Sequence, residues 1–209
     1  MQTTALLLCG ERPASRPKKG AIIRQLKQMP AGAVLLFEDE TIVRLFPVLR
    51  RAWSLRGKQA LVPITGRNAK CVLFGTLNPQ TGHRIVLCRP NMRQENFQDF
   101  LRLLRRSYPG REIWLLLDEA PCHVAQKSQV LAKQLNMELI WLPKQCPELN
   151  AMDQLWRELK NDISANYQFQ NIEEQAAWAQ EWILSLTKRE ALLKASVLSK
   201  NFWLRSFFK

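Results

Sequence analysis

The sequence predicts an α/β domain in which helices cover a buried sheet, and three observations support this prediction. Two short apolar runs, Ile113–Leu117 and residues 33–37, are typical of strands that are buried on both faces. Apolar residues also recur at helical spacing in several other segments. The chain has 209 residues, of which 46% are hydrophobic, and this is enough for the core of one large domain.

The first 30 residues are predicted to form a basic arm or linker. Pro13, Pro17 and Pro30 interrupt this segment, which leaves room for one or two helical turns at residues 22–28. Residues 31–209 then form the main domain, with a helical extension that starts at about residue 170.

Strand-like composition occurs in six segments along the main domain. The strands are predicted at residues 33–37, 59–64, 70–77, 83–88, 113–117 and 138–142. Turn-forming residues 78–82 separate two of these segments and predict a hairpin. Pro121 stops the strand that ends before Asp118, because proline lacks the N–H group that a strand ladder needs.

Helices are predicted where apolar residues repeat every three or four positions, often behind a capping residue. Three pairs have the spacing of a capping box: Asn91 with Gln94, Asn171 with Glu174, and Thr187 with Glu190. Two further helices are predicted around residues 124–135 and from Leu149 onward. In the latter, Asp153 lies on or beside the apolar face, where a carboxylate is unusual.

The charge of the chain is strongly basic. The sequence has 31 Lys and Arg residues against 18 Asp and Glu residues, for a net charge of +13. A basic surface attracts phosphate backbones, so nucleic acid is the favoured partner over a merely solvated surface. No apolar run reaches the roughly 18 residues of a membrane span. The five cysteines are an odd number and include no C-x-x-C pair, which favours reduced thiols in the cytoplasm.

Three aspartates share an unusual placement. Asp39 and Asp118 follow buried strands, and Asp153 lies on the inner side of a helix that follows another strand. Carboxylates in one cleft repel each other unless cations neutralise them, and Mg²⁺ prefers oxygen ligands. Two such ions can activate an attacking oxygen and stabilise a leaving oxygen at phosphorus. The pattern therefore points to an enzyme that processes phosphodiesters.

Each of these residues also has a simpler interpretation. Asp118 could only end a strand and cap the following turn, Asp153 could pair with Arg157 one helical turn later, and Asp39 could be one solvated member of an acidic trio. His123 is expected to support a metal ligand or to be a satisfied buried histidine more readily than to bind metal itself. Trp53 is expected to pack, with base stacking as the alternative.

Several short motifs follow one another along the sequence at characteristic spacings. They are Phe37-Glu38-Asp39-Glu40, Trp53 with Gly57, Asp118-Glu119-Ala120-Pro121 with His123, Leu142-Pro143, Pro147-Glu148-Leu149-Asn150, and Asp153 with Trp156 and Lys160. These motifs, with 34 residues between the second and third acids, resemble the catalytic domain of the DDE/DDD transposases of the mariner-like and bacterial insertion-sequence superfamily. The resemblance covers roughly residues 20–165.

The resemblance implies an α/β RNase-H-like fold, with a five-stranded mixed sheet, flanking helices and extra C-terminal helices. It implies that Asp39, Asp118 and Asp153 form the catalytic triad and bind Mg²⁺ or Mn²⁺, with two ions expected. The implied activity is metal-dependent DNA cleavage that leaves a 3′ hydroxyl, followed by strand transfer to a target phosphodiester. The implied partners are double-stranded DNA, as element ends and target, and a second copy in a homodimer.

Eight basic residues are the candidate DNA contacts, with simple surface solvation as the alternative. They are Arg50, Arg51, Arg56, Lys58, Arg67, Lys70, Lys144 and Lys160. Lys144 and Lys160 flank the third acid and are therefore the stronger candidates. For a bacterial transposase, the expected location is the cytoplasm in association with the nucleoid.

Three departures from the family pattern qualify this interpretation. Glu119 follows the second acid where many members have Asn, and Asp153 stands where bacterial members usually have Glu. The sequence before Ala33 leaves no room for the helix-turn-helix domains that normally read the element ends, so the chain resembles the catalytic half alone. The alternatives are a related nuclease that does not join strands and an inactive DNA-binding remnant.

Overall fold

A computed structural model of the chain describes residues 15–47, 49, 51, 53–59, 61–64, 66–144, 146–163 and 166–208. Its centre is a five-stranded sheet in the order β3-β2-β1-β4-β5. The strands are β1 (Val34–Arg44), β2 (Lys70–Leu77), β3 (Arg84–Arg89), β4 (Ile113–Leu117) and β5 (Met137–Trp141). Because β1, β2 and β3 pair antiparallel whereas β1, β4 and β5 pair parallel, the predicted mixed sheet is confirmed.

Seven α-helices flank the sheet in the described part of the chain, and none of them is long and apolar enough to cross a membrane. They are α1 (Ser15–Leu26), α2 (Gln94–Ser107), α3 (Pro121–Val124), α4 (Gln126–Gln134), α5 (Ala151–Ile163), α6 (Ile172–Ser185) and α7 (Lys188–Lys194). Short 3₁₀ helices lie at Pro147–Leu149 and Arg205–Phe207.

Alternation of side chains along the central strand divides the core into two halves. Leu35 and Phe37 of β1 point to the face that is covered by α5 and α6, whereas Val34 and Leu36 point to the face that is covered by α2. The apolar stripe predicted on α5 is buried against the first face. The sheet is therefore covered on both sides, as its apolar strands require.

The first strand is longer than the sequence suggested. The run at residues 33–37 predicted a strand that ends before Asp39, but β1 continues through the acidic residues to Arg44. Pairing with β2 over this whole length holds the extension in place, and Thr41 and Val43 on it are buried. Asp39 therefore lies within a strand and not after one.

Two other local predictions are wrong. The predicted strand at residues 59–64 is not found, since the described residues of this segment lack strand pairing and Leu61 is exposed. Asn91 does not cap α2, whose N-cap is Arg93, because the Asn91 side chain instead accepts a hydrogen bond from the Arg93 N–H in the preceding turn.

The helices near the C-terminus begin where their capping residues predicted. The Asn171 side chain accepts a hydrogen bond from the Glu174 N–H, and Thr187 forms a complete capping box with Glu190. Between them, the buried Arg84 guanidinium of β3 donates to the carbonyls of Ile183, Leu184 and Leu186. This contact ties the C-terminal end of α6 to the hairpin of β2 and β3.

The predicted N-terminal arm is helical from Ser15, earlier than the one or two turns expected at residues 22–28. Ile22 and Leu26 of this helix are buried in the same cluster as the residues of α5. Residues 1–14 lie outside the described part of the chain, so the division into an arm and a domain stays a prediction. Four cysteines, Cys71, Cys88, Cys122 and Cys146, are free thiols.

Gly75 of β2 sets how closely α5 approaches the sheet. A Cβ atom at this position would lie 2.6 Å from Met152 Cε and 2.9 Å from Trp156 Cη2, both on the buried side of α5. Gly75 is also the register partner of Asp39 on β1. The missing side chain therefore lets α5 lie directly over the strand pair that carries Asp39.

Replacing Gly75 by alanine should lower the free energy of unfolding by about 1–3 kcal/mol, because the added methyl group overpacks a filled core. Chemical denaturation of the purified protein measures this change. Gly20→Ala in α1 is the matched control, since its Cβ would meet only Arg24 Nη1 at 3.9 Å. The control should be neutral or slightly stabilising, and equal stability of wild type and Gly75→Ala would contradict the packing argument.

Candidate active site

Two neighbouring strands bring the first two aspartates to the same level of the sheet. Phe37 of β1 pairs in register with Leu116 of β4, and the strands are parallel. Asp39 and Asp118 each lie two residues beyond that pair. Because side chains alternate along a strand, Asp39 points to the same face as Phe37, which is the face under α5.

The third aspartate comes from α5. Asp153 is in the first turn of this helix and shares the cavity with Asp118 and Leu142, which directly follow β4 and β5. Asp39, Asp118 and Asp153 line one open cavity of about 420 Å³. Glu119, Lys144 and Asn150 are the other polar or charged residues among its described lining. The structure thus brings together the three acids that are far apart in the sequence.

Asn150 fixes the start of α5 relative to β1. Its amide nitrogen donates a 2.7 Å hydrogen bond to the Glu38 carbonyl, and its side-chain oxygen accepts a 3.0 Å bond from the Met152 N–H. Asn150 is buried, so both bonds are shielded from water. Asn150 belongs to one of the family motifs, but its role could not be predicted from the sequence, because the Glu38 carbonyl lies 112 residues away along the chain.

Burial and the neighbouring carboxylates both disfavour the charged form of Asp39. Burial raises the pKa of Asp39 well above its usual range, and the nearby Glu40, Asp153 and Asp118 raise it further. A divalent cation would remove this penalty, because it neutralises the carboxylates and accepts their oxygens as ligands. The donor set of the cavity therefore fits a hard cation such as Mg²⁺ or Mn²⁺.

A second acidic cluster lies on the opposite face of β1. Glu38 and Glu40 point away from Asp39, as the alternation of the strand predicted, and Glu38 is completely buried. The His123 Nε2 atom lies 2.8 Å from Glu40 Oε1 and 3.4 Å from Glu38 Oε2. Burial raises the pKa of Glu38 well above its usual range, and Glu40 adds to this, whereas His123 opposes it.

His123 also contacts the second aspartate. Its Nδ1 atom lies 3.1 Å from Asp118 Oδ1 and 3.0 Å from the Asp118 carbonyl oxygen. This hydrogen bond is the main reason that the pKa of Asp118 is lowered, and the Ala120 N–H contributes to the same effect. Burial lowers the pKa of His123, but the nearby Glu38, Asp118, Cys122 and Glu40 outweigh it, so the pKa is raised.

The simpler interpretations of the acids describe contacts that are present. Asp118 accepts a 2.9 Å hydrogen bond from the Ala120 N–H, which is a turn cap, and Asp153 pairs with Arg157 at 2.7 Å. Glu119, the acid that departs from the family pattern, lines the cavity and pairs with Lys144 at 3.0 Å. These contacts coexist with the convergence of the three aspartates, so they do not replace it.

The candidate DNA contacts fall into two groups, apart from Arg50, which lies outside the described residues. Five are exposed on or next to the segment between β1 and β2: Arg51, Arg56, Lys58, Arg67 and Lys70. Lys144 lines the cavity and Lys160 is exposed in the last turn of α5. Trp53 is fully exposed, so the expectation that it packs is wrong.

Comparison with known proteins gives a consistent family. The sequence model of the DDE superfamily endonucleases matches residues 34–175. An uncharacterised 39 kDa protein of insertion element IS630 from Shigella sonnei is 28% identical over 158 residues, which are 75% of this chain and 46% of that protein. The chain therefore spans about half the length of this curated relative.

The fold resembles solved structures of Mos1 transposase. The Mos1 mariner paired-end complex with Mn aligns with a TM-score of 0.69 and 18% identity over 97% of this chain and 64% of that chain. The catalytic domain of Mos1 aligns with a TM-score of 0.61 and 17% identity, covering 95% of this chain and 94% of that one. At this level of identity the likeness concerns the fold, and it confirms the predicted RNase-H-like architecture.

Asn150→Ala should lower the free energy of unfolding by about 2 kcal/mol, since it removes a helix cap and leaves a buried carbonyl without a donor. It should also weaken the binding of Mn²⁺ to the aspartate cavity, because α5 loses its tie to β1. Isothermal titration calorimetry and denaturation measure the two effects. Asn171→Ala, which removes the cap of α6, is the control and should cost about 1 kcal/mol without changing Mn²⁺ affinity. Unchanged Mn²⁺ affinity in Asn150→Ala would contradict the assigned role.

Proposed function

We propose that this chain, which belongs to the DDE superfamily endonuclease family, is the catalytic domain of a DNA transposase. The observation that carries the proposal is the convergence of Asp39, Asp118 and Asp153 on one open cavity. Their side chains come from two adjacent strands and a helix, so the arrangement depends on the whole fold. Because the chain belongs to an endonuclease family, cleavage of phosphodiester bonds in DNA is the reaction that these three carboxylates support best.

The three aspartates hold the divalent cations in this proposal. Mg²⁺ or Mn²⁺ would supply activation of the attacking oxygen and stabilisation of the charge that develops on the phosphoryl group, with two ions as the expected number. The protein contributes the positions of these ligands, since Asp39 lies on β1, Asp118 directly follows β4 and Asp153 lies on a helix that Asn150 anchors. Solved Mos1 complexes with Mn and with Mg support the choice of metals.

Basic residues around the cavity hold the DNA backbone. Lys144 lines the cavity and its side chain is 75% exposed, so it can leave Glu119 to meet a phosphate. Lys160 extends from the same helix as Asp153. The exposed arginines and lysines between β1 and β2 provide further charge. Such contacts set the position of the duplex without reading its sequence.

Strand transfer separates a transposase from a nuclease of the same fold. In the proposed reaction, water first cleaves one strand and leaves a 3′ hydroxyl, and this hydroxyl then attacks a phosphodiester of the target. Solved relatives include a Mos1 strand transfer complex, which favours this order of steps. Homodimer formation, the two-ion count and a cytoplasmic location in association with the nucleoid remain predictions.

Supercoiled plasmid tests the cleavage step, and a duplex with a pre-formed 3′ hydroxyl end tests the joining step. We expect nicked plasmid that appears only with Mg²⁺ or Mn²⁺, and covalent joining of the duplex to the plasmid. Nicking without joined products would favour the nuclease. Salt-sensitive DNA binding without either product, in a protein that also fails to bind Mn²⁺, would favour the inactive remnant.

Asp39→Asn, Asp118→Asn and Asp153→Asn should each reduce the rate of plasmid nicking at least about 100-fold, which corresponds to ~2.7 kcal/mol in the barrier. Each change removes one anionic ligand of the cations. Asp99→Asn is the control, because Asp99 pairs with Arg89 and Arg102 on the surface of α2, and it should keep the wild-type rate. A wild-type rate in Asp118→Asn would show that the assigned triad is wrong.

Cation binding should also stabilise the fold. At a Mn²⁺ concentration of about 100 times the dissociation constant, the free energy of unfolding should rise by ~2.7 kcal/mol. Asp39→Asn should lose this gain but be more stable than wild type in EDTA, because it removes a charge that burial and the neighbouring carboxylates disfavour, as the raised pKa of Asp39 shows. Thermal denaturation with and without Mn²⁺ measures both effects. A Mn²⁺-dependent gain in Asp39→Asn equal to that of wild type would place the cation elsewhere.

A further inference from the structure

We infer that His123 is a positioning residue that holds the Asp118 carboxylate in the orientation that cation binding requires, and that Glu38 and Glu40 fix the His123 ring from the other side. This inference rests on the proposed role of Asp118 as a cation ligand. His123 does not itself line the cavity and, in the proposed reaction, does not touch the substrate. It acts through Asp118 alone.

Asp118 needs such support because of where it lies. It follows the last residue of β4, and its side chain is 61% exposed, whereas the strand behind it is fully buried. Two described groups hold its Oδ1 atom: the Ala120 N–H at 2.9 Å and the His123 Nδ1 atom at 3.1 Å. Both hold the same oxygen, which leaves Oδ2 available to the cavity.

The His123 ring is itself packed and contacted on several sides. It is completely buried, and its centroid lies 4.5 Å from that of Phe97 on α2. On the side opposite to Asp118, Nε2 meets Glu40 at 2.8 Å, and Cys122 Sγ meets the same Glu40 oxygen at 3.3 Å. The ring therefore connects two carboxylates of β1 with the carboxylate that follows β4.

The energetic cost of this arrangement is informative. Both carboxylate oxygens of Glu38 are buried and lack a hydrogen-bond partner among the described residues. Burying a carboxylate with only an ion pair for compensation is less stable than filling the same volume with apolar side chains. An apolar core beneath the cavity would thus be more stable, but it could not hold the Asp118 oxygen. The polar cluster is retained, in this inference, for the position that it gives to Asp118.

Two substitutions test the contacts of the two ring nitrogens, Nδ1 and Nε2, one at a time. His123→Asn places an amide nitrogen near the position of Nδ1, so it keeps the donor to Asp118 and loses the contact with the glutamates. His123→Gln places its amide near the position of Nε2, so it keeps the contact with the glutamates and loses the donor to Asp118. The comparison measures which end matters for the cation.

Isothermal titration calorimetry with MnCl₂ on the full chain gives the readout, and circular dichroism confirms that each variant is folded. We expect His123→Gln to weaken Mn²⁺ binding by about 10–100-fold, as losses of supporting hydrogen bonds do, and His123→Asn to stay within about 3-fold of wild type. If the ring only compensates the buried glutamates, His123→Asn should weaken Mn²⁺ binding more than His123→Gln does. Equal affinities in wild type and His123→Gln would also overturn the inference.

A measurement on the wild-type protein keeps the inference testable even if a variant does not fold. The ¹⁵N resonances of the His123 ring should show a proton on Nδ1, and the Nδ1–H signal should shift on addition of MgCl₂. An unprotonated Nδ1 would overturn the inference, because it could not donate to Asp118. One equivalent of zinc in the purified protein would overturn it too, since the ring and Cys122 would then be zinc ligands. Wild type that shows the Nδ1–H signal but binds no Mn²⁺ would instead contradict the proposed function.

Discussion

The alternation of side chains along β1 places neighbouring acidic residues on opposite faces of the sheet, and the rest of the site depends on this placement. Asp39 faces the cavity under α5, while Glu38 and Glu40 face the buried His123. The core excludes solvent from Glu38 and Glu40, and Asp39 meets only the open cavity, so each face must provide its own compensation. One face provides an opening that suits cations, and the other provides an imidazole ring.

The position of α5 is determined by contacts of three different kinds. Gly75 permits close approach to the sheet, Asn150 fixes the start of the helix by hydrogen bonds, and Trp203 donates a 2.9 Å bond to the Leu149 carbonyl just before it. These contacts also fix the position of Asp153, because it lies in the first turn of α5. Asp153 can thus meet Asp39 of β1 and Asp118, which directly follows β4, at one cavity.

Much of this could be predicted from the sequence, because the signals are local. Apolar runs marked β2 and β4, spacing marked α5, and capping pairs marked α6 and α7. The true length of β1 could not be predicted, since its polar half is held by pairing with β2 rather than by its own composition. The run at residues 59–64 misled for the opposite reason, because strand-like composition without a partner does not make a strand.

The site shows the same division. The three aspartates could be selected from their position after apolar runs and from the family motifs. The roles of Asn150 and His123 depend on Glu38, which lies far away in the chain, so only the folded structure shows them. Exposure of Trp53 likewise follows from the segment around it, whose large apolar side chains Leu49, Leu55 and Leu61 also remain exposed.

The bond from Trp203 to the Leu149 carbonyl has a consequence for biosynthesis. Leu149 leaves the ribosome before Trp203, which follows 54 residues later in the chain. Because domains assemble as the chain emerges, the segment that leads into α5 lacks its indole partner until these residues have been added. A nascent chain would thus hold the start of α5, and with it Asp153, less firmly than the finished chain does.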